Sequence, residues 1–308
     1  MQTLDASLTS LAFGIPQRHR NLTLVPLVAL EPRTADYLTL DEAIAAGLAQ
    51  VTELSESGTV PELHFRNGGD RDVLLLMGEE LVGAKQNRVL NVTILVAAGQ
   101  EVVIPVSCVE AGRWGYRSRE FRTADRAMYA AGRAKLMEDV ALSLKARKTR
   151  RSDQSRVWQD IDDKMGRMRA MSATAAMADM YEQEAPNLDA FRNAFEPVER
   201  QVGGVFFIDD RPVGLEVFDA PSTWQRQARK LISSYAMDAI DGAAAMHASH
   251  VGDADARSLL EQVLKATADQ HPAIGKGTEI RLESPAITGA GLELPGRVVH
   301  LCVYSKAA

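Results

Sequence analysis

Apolar and polar positions alternate in short runs over the first third of the chain, and turn residues separate the runs. Residues 22–30 (LTLVPLVAL) read as a strand with Leu24, Val25 and Leu27 on a buried face. Residues 41–48 read as a short helix that the Thr39 hydroxyl can cap, with Gly47 near its end. Residues 49–66 alternate around Ser57-Gly58, the pattern of a hairpin, and residues 67–70 (NGGD) make a further turn. Val73 to Met77 is continuously apolar, which predicts a strand covered on both faces. Residues 88–97 and 102–109, joined by Ala98-Gly99-Gln100-Glu101, predict a second hairpin. Pro105 lacks an amide hydrogen and marks an edge or an irregular position within it.

The period changes after Trp114. Residues 124–148 read as a helix with an apolar stripe of Met128, Ala131, Leu136, Val140 and Leu144, and its basic end (residues 145–151) complements the helix dipole. Ser152 or Asp153 starts a second helix carrying Val157, Trp158, Ile161 and Met165. A methionine-rich segment follows, read first as packing and second as an oligomer contact. A short helix over 188–195 comes after Pro186. Strand character returns in a hairpin, 202–210 with 211–219, turning at Asp209-Asp210. Helices over about 222–248 and 254–269 come next, the latter ending before His271-Pro272 because the residue preceding proline avoids the helical region. Residues 277–286, 289–296 and 297–305 close the chain as strands that can complete the first sheet. The expected fold is α+β: an antiparallel β-roll or sandwich core, a large helical insertion and a C-terminal hairpin–helix–strand region. It is expected to form one domain over 1–308, with the β-rich core at 20–114, the insertion at 123–199 and the remainder at 201–304.

Composition narrows the function classes. The 308 residues are 46% apolar and 25% charged, an ordinary globular balance. The net charge of −6 gives no general attraction for nucleic acid, and the basic run at 145–151 has only Trp158 as an aromatic neighbour. No run approaches membrane-spanning length, and the N-terminus lacks the pattern of a signal peptide, so a cytoplasmic protein is expected. Cys108 and Cys302 lie in apolar strand contexts as expected free thiols, and there is no C-x-x-C pair. The histidines form no H-E-x-x-H frame, although His247 and His250 lie three apart. Residues 88–109 hold no histidine, which disfavours a metal-dependent roll, so no metal and no cofactor is expected.

The candidate chemistry lies in residues 72–114, where dense polar clusters interrupt the most apolar strands of the chain. Burying charge there is costly and requires partners or a ligand. Gln86 and Arg88 share one strand face, with Asn87 on the other. Arg88 can hold a carboxylate or phosphate, and Gln86 can read a hydroxyl or base edge. The bland alternative is a buried pair between Arg88 and Glu79 or Glu80. Those two glutamates face opposite ways on a strand, so one at most reaches a pocket, where Glu110 is the best second carboxylate for activating water. Surface or salt-bridged glutamates are the competing reading. Cys108 shares a face with Glu110 if the strand continues; as a nucleophile it needs a base such as His64 or His300, and otherwise it is a small core residue. Arg113 and Trp114 can hold a phosphate and stack on a base, with Tyr116 and Arg119 extending the rim, whereas Trp114 can equally plug the core.

Several segments resemble one family. Residues 78–88 (GEELVGAKQNR), 105–114 (PVSCVEAGRW), 203–208 (GGVFFI), 216–218 (EVF), 230–236 (KLISSYA) and 299–301 (VHL) look like the ARG and rhodanese-phosphatase-superfamily-associated protein domain, and the likeness runs from about residue 20 to 304. Ala84 departs from the second glycine expected after Gly83. The family's association with ADP-ribosylglycohydrolases in NAD-related gene neighbourhoods implies a role with ADP-ribose or a related nucleotide. It supplies no catalytic residues. Two function classes therefore stand. One is a nucleotide- or ADP-ribose-related binding domain with a hydrolytic option, its catalytic candidates Glu79, Glu80, Glu110 and Cys108 and its ligand-binding candidates Gln86, Asn87, Arg88, Arg113 and Trp114. The other is a non-catalytic scaffold or assembly protein that makes protein contacts through its helical insertion, with a homo-oligomer among the assemblies it allows.

Overall fold

The structure is a computed structural model that describes residues 2–55, 58–242 and 251–306. Its largest sheet has nine strands, all paired antiparallel. Leu11–Phe13, Leu22–Ala29, Gln201–Ile208, Arg211–Phe218, Arg297–Ser305, Ile287–Leu294, Thr278–Glu283 and Thr267–Pro272 follow in spatial order, and Gln17–His19 also pairs with Leu22–Ala29. The hairpin at 201–218 turns on Asp209 and Asp210, both with positive φ (49° and 63°), as a tight two-residue hairpin turn demands.

A second sheet carries the polar stretch. Its six strands run Phe121–Ala127, Glu79–Gly83, Arg88–Leu90, Glu101–Cys108, Glu62–Asn67 and Ala49–Glu53. An isolated bridge between Thr52 and Glu120 brings its two edges together, so the sheet curls towards a closed barrel. Val51, Leu63, Phe65, Leu81, Leu90, Ile104, Val106 and Phe121 belong to one buried cluster with this sheet. Removing this much apolar side chain from water is the main stabilising force of such a half-barrel. A small third sheet, Ile94–Val96, Asp72–Leu75 and Tyr37–Thr39, contains a parallel pair between the last two. The architecture is the α+β fold expected, with antiparallel strands dominating.

The helices fill the space between the sheets and cover the outer face of the larger one. Ala130–Arg147, Gln154–Met168, Met177–Gln183, Ala185–Ala194 and Pro221–Asp241 contribute to the largest core cluster, where Met165, Met177 and Met180 are buried; Met171 stands exposed. Gln2–Thr9 and Asp253–Lys265 pack on the opposite face of the nine-stranded sheet through Leu4, Leu8, Leu259 and Val263. Thr39 caps the helix Leu40–Ala45 with Glu42 as its reciprocal partner. No helix among the described residues is long and apolar enough to cross a membrane.

Four local expectations are corrected. The hairpin of 88–97 with 102–109 is split: Arg88–Leu90 pairs with Val106 to Cys108, whereas Ile94–Val96 leaves to pair with Val73 to Leu75. The break falls at two polar residues whose side chains are held by hydrogen bonds. Asn91 binds the Ser107 hydroxyl and the Arg150 carbonyl, and the Thr93 hydroxyl accepts from the Met77 amide. Pro105 sits where Glu101–Cys108 changes neighbours, from Glu62–Asn67 to Arg88–Leu90. Residues 124–127 are strand rather than helix, held by pairing with Glu79–Gly83. The helix expected to 269 stops at Lys265, and Thr267–Pro272 becomes an edge strand of mostly exposed residues. The closing strands join the nine-stranded sheet that holds Leu22–Ala29, as expected for that strand, but not the curled one formed by most of the rest of the β-rich stretch. The expected turn at Ser57, the end of the helix expected to 248, and the pair His247 and His250 lie outside the described residues.

Candidate functional site

Six strands of the curled sheet end or begin together at one rim, joined there by segments 54–61, 84–87 and 109–120. Arg88 opens its strand at this rim, in register with Cys108 at the end of the adjacent strand and Leu81 on the other side. The backbone at 83–84 turns with positive φ at Gly83 (134°) and Ala84 (37°). A side chain on Gly83 would strike the Ser118 hydroxyl and the Glu120 carbonyl, so only glycine fits there. The Ala84 carbonyl accepts from Arg113 Nη1 at 2.8 Å and from the Arg117 amide at 2.9 Å, which fastens segment 109–120 over the turn.

The charged residues of this stretch fall into two groups. In the first, carboxylates and cations are matched. Glu80 accepts from Arg126 and from Asn87 Nδ2. Glu110 accepts from Arg113 Nη2 at 2.6 Å, from the Asn87 amide at 3.2 Å and from the Thr174 hydroxyl at 3.0 Å. Glu79 faces the opposite way, as adjacent strand residues must, and accepts from Lys230 Nζ at 3.0 Å, Gln227 Nε2 and the Leu76 amide. Burial pushes the Glu80 carboxyl up despite Arg126 beside it. Burial acts the same way on Glu110, but the hydrogen bonds from Arg113, Asn87 and Thr174 outweigh it and hold that carboxyl low. Three of the four catalytic candidates thus have their oxygens engaged by other parts of the protein.

The second group is Arg88 and its surroundings. Arg88 is fully buried (0% exposed), and among the described residues no carboxylate forms an ion pair with it. Its Nη1 donates to Gln86 Oε1 at 3.2 Å; Nε and Nη2 have no acceptor. The pairing with Glu79 or Glu80 considered from the sequence does not form, because Lys230 and Arg126 hold those groups. Burial pulls the Arg88 guanidinium below its usual range, with Cys108 and Glu53 acting the other way. The Cys108 thiol donates to Gln86 Oε1 at 2.9 Å. Burial pushes that thiol up, while Arg88, the Glu110 backbone and Trp158 act the other way. The strand stops at Cys108, so Cys108 meets the backbone carbonyl of Glu110 and not its carboxylate. Neither proposed base is near: His64 pairs with Glu101, and His300 with Glu216.

Trp114 covers this group. Its ring lies 5.8 Å from the Arg88 guanidinium and 5.2 Å from Lys85 Nζ, and it is 52% exposed, which rules out the core-plug reading. Tyr116 and Arg119 stand on an adjoining open depression of about 920 Å³ together with Glu53, Thr52 and Arg117. Sequence reasoning passed over Glu53. Its signal was there: it follows Val51 by two, so it continues the face of that buried residue. Trp158 and Gln154, whose side chain bonds both the amide and the carbonyl of Cys108, come from a helix that gives no local hint of them.

A second buried polar cluster links the sheets. Glu216 accepts from Arg133 Nη1 at 2.6 Å, from the Tyr235 and Tyr304 hydroxyls at 3.2 and 3.4 Å, and faces His300 Nε2 at 3.1 Å. His300 Nδ1 meets the Thr93 hydroxyl at 2.9 Å. Gly78 (φ 83°) lets the Arg133 stem through, since a Cβ there would lie 2.3 Å from its Cδ. Burial would raise the Glu216 carboxyl; the Arg133 guanidinium and His300 outweigh it and hold it low. Glu216, His300 and Cys302 have potential metal-binding atoms within 4.8 Å of one another. Those of Glu216 are already taken by four donors, and burial pushes the Cys302 thiol far up.

No curated protein and no solved structure matches the chain. A family model does: it spans residues 10–304 and takes in both the curled sheet with its unpaired Arg88 and the buried Glu216 cluster, and by that match the chain belongs to the ARG and Rhodanese-Phosphatase-superfamily-associated Protein domain family.

Proposed function

We propose that this protein binds a small phosphorylated ligand of the nucleotide or ADP-ribose class at the loop rim of its curled sheet. The observation that carries the reading is the buried Arg88 guanidinium with two nitrogens unsatisfied and no carboxylate partner among the described residues. A buried unpaired charge is expensive, and an incoming phosphate would supply the missing acceptors as a bidentate pair. Trp114, half exposed above Arg88, offers a stacking plane for a base. Gln86 and Asn87 serve as supports: the first holds Arg88 and Cys108, and the second ties Glu80 to Glu110. Binding rather than hydrolysis is the core of the proposal, because Glu79, Glu80 and Glu110 are held by cations. The ADP-ribose identity and the link to NAD metabolism come from the family resemblance. We place the activity in the cytoplasm, in keeping with two free, buried cysteines.

Thermal unfolding with and without ADP-ribose, NAD and mononucleotides tests this. At a ligand concentration of 100 Kd the expected gain is about 2.7 kcal/mol for the wild type and none for Arg88→Gln. If no phosphorylated ligand shifts the wild-type transition, the proposal fails.

A further inference from the structure

Glu53 is the counterpart of Arg88 at the same rim. Its strand, Ala49–Glu53, ends there, as does the strand of Cys108, and the strand of Arg88 begins there. Alternation puts Glu53 on the side of Val51, and Arg88 on the side of Leu90; Val51 and Leu90 belong to the same buried cluster. Glu53 is only partly buried, yet both carboxylate oxygens are shielded from solvent and neither has a donor among the described residues. Glu53 also lines the open depression beside Tyr116. The rim therefore holds unsatisfied donors on Arg88 and unsatisfied acceptors on Glu53. The charge of Glu53 acts on Arg88, yet no ion pair joins them. Both deficits cost free energy while unfilled.

We propose that Glu53 binds the hydroxyl donors of the ligand whose phosphate sits on Arg88, making the preferred ligands phosphate esters of a sugar with free vicinal hydroxyls. The inference rests on the anion-binding reading above and adds the second half of the recognition. Inorganic phosphate would satisfy Arg88 alone. A sugar phosphate would satisfy both, because a carboxylate accepts from two adjacent hydroxyls at once. Glu53 is a binding residue in this account, and no bond is made or broken.

Calorimetric titration of the full chain with ribose 5-phosphate, 2-deoxyribose 5-phosphate and inorganic phosphate tests it. In the wild type, ribose 5-phosphate is expected to bind roughly tenfold or more tightly than either of the others. Glu53→Gln should remove that preference, so that ribose 5-phosphate and 2-deoxyribose 5-phosphate bind the variant alike. If all three bind the wild type equally, and binding is lost only in Arg88→Gln, Glu53 has no such role while the anion site stands. The comparison of sugars in the wild type decides the matter even if Glu53→Gln folds poorly. If none of the three binds the wild type, the anion-binding reading and this inference fall together.

Discussion

Arg88 Nη1 donates to Gln86 Oε1 at 3.2 Å, and the Cys108 thiol donates to the same oxygen at 2.9 Å. A neutral amide thus occupies the place where a carboxylate would neutralise the guanidinium. The amide is fixed in this orientation, since its Nε2 donates to the Glu110 carbonyl at 2.9 Å. Gln86→Glu would supply a resident anion of nearly the same shape. Phosphate affinity should then fall by roughly tenfold or more, because the ligand must compete with an internal partner. Titration with a phosphorylated ligand measures it. The lost donor to Glu110 offsets the new ion pair, so stability is a poor readout; unchanged affinity would show that Arg88 does not hold the anion.

The two deeply buried arginines should respond in opposite directions to the same substitution. Arg133 is matched by Glu216, so Arg133→Met strands a buried carboxylate and should cost about 3–5 kcal/mol. Arg88 has no such partner, so Arg88→Met removes an uncompensated charge and should leave stability unchanged or raise it by about 1 kcal/mol. Urea unfolding of both variants gives the comparison. A loss at Arg88 equal to that at Arg133 would mean that Arg88 is a structural ion after all.

Glu79 was one of the catalytic candidates, and its geometry predicts a structural phenotype. Its carboxylate bonds Lys230, which in turn bonds Asp41 at 2.5 Å, and burial of Lys230 is outweighed by these two anions. Glu79→Gln weakens that chain, so stability should fall by about 2–3 kcal/mol while the Kd for a phosphorylated ligand stays within about twofold. A selective loss of ligand affinity with normal unfolding would return Glu79 to the site.

Glu216 gives a pH dependence with a definite sign. Its carboxyl lies below the ordinary value of 4.5 in the folded protein. The stability it contributes is therefore full above about pH 4.5, where the unfolded chain is ionised too, and is lost as the pH falls through and below that value. Unfolding free energies between pH 7 and pH 3 should drop more steeply for the wild type than for Glu216→Gln, which starts lower and has no carboxyl to protonate. Parallel curves would assign the acid sensitivity to other groups.

The strands and helices were largely legible because their signals are local. The Thr39 cap, the Asp209-Asp210 turn, the alternation of 49–66 and the apolar run at 73–77 depend on residues within a few positions of one another. Errors came where distant contacts overrode the local pattern. The strand expected over 88–97 breaks at Asn91 and Thr93 because Ser107, Arg150 and Met77 are their partners, and residues 124–127 become strand because Glu79–Gly83 lies alongside.

The site divides in the same way. The sequence by itself determined that charged residues interrupt apolar strands at 79–113, where burial would demand partners or a ligand. The local pattern is enough for that. Only the tertiary structure decided which of those charges are satisfied. Lys230 lies 151 positions from Glu79 and Arg126 lies 46 positions from Glu80, so no local pattern could reveal that both glutamates are claimed. Nor could any reveal that Arg88 has no carboxylate partner among the described residues, with Glu53 unsatisfied at the same rim. A side chain's identity is written in the sequence, whereas its electrostatic balance depends on neighbours that folding brings from elsewhere in the chain.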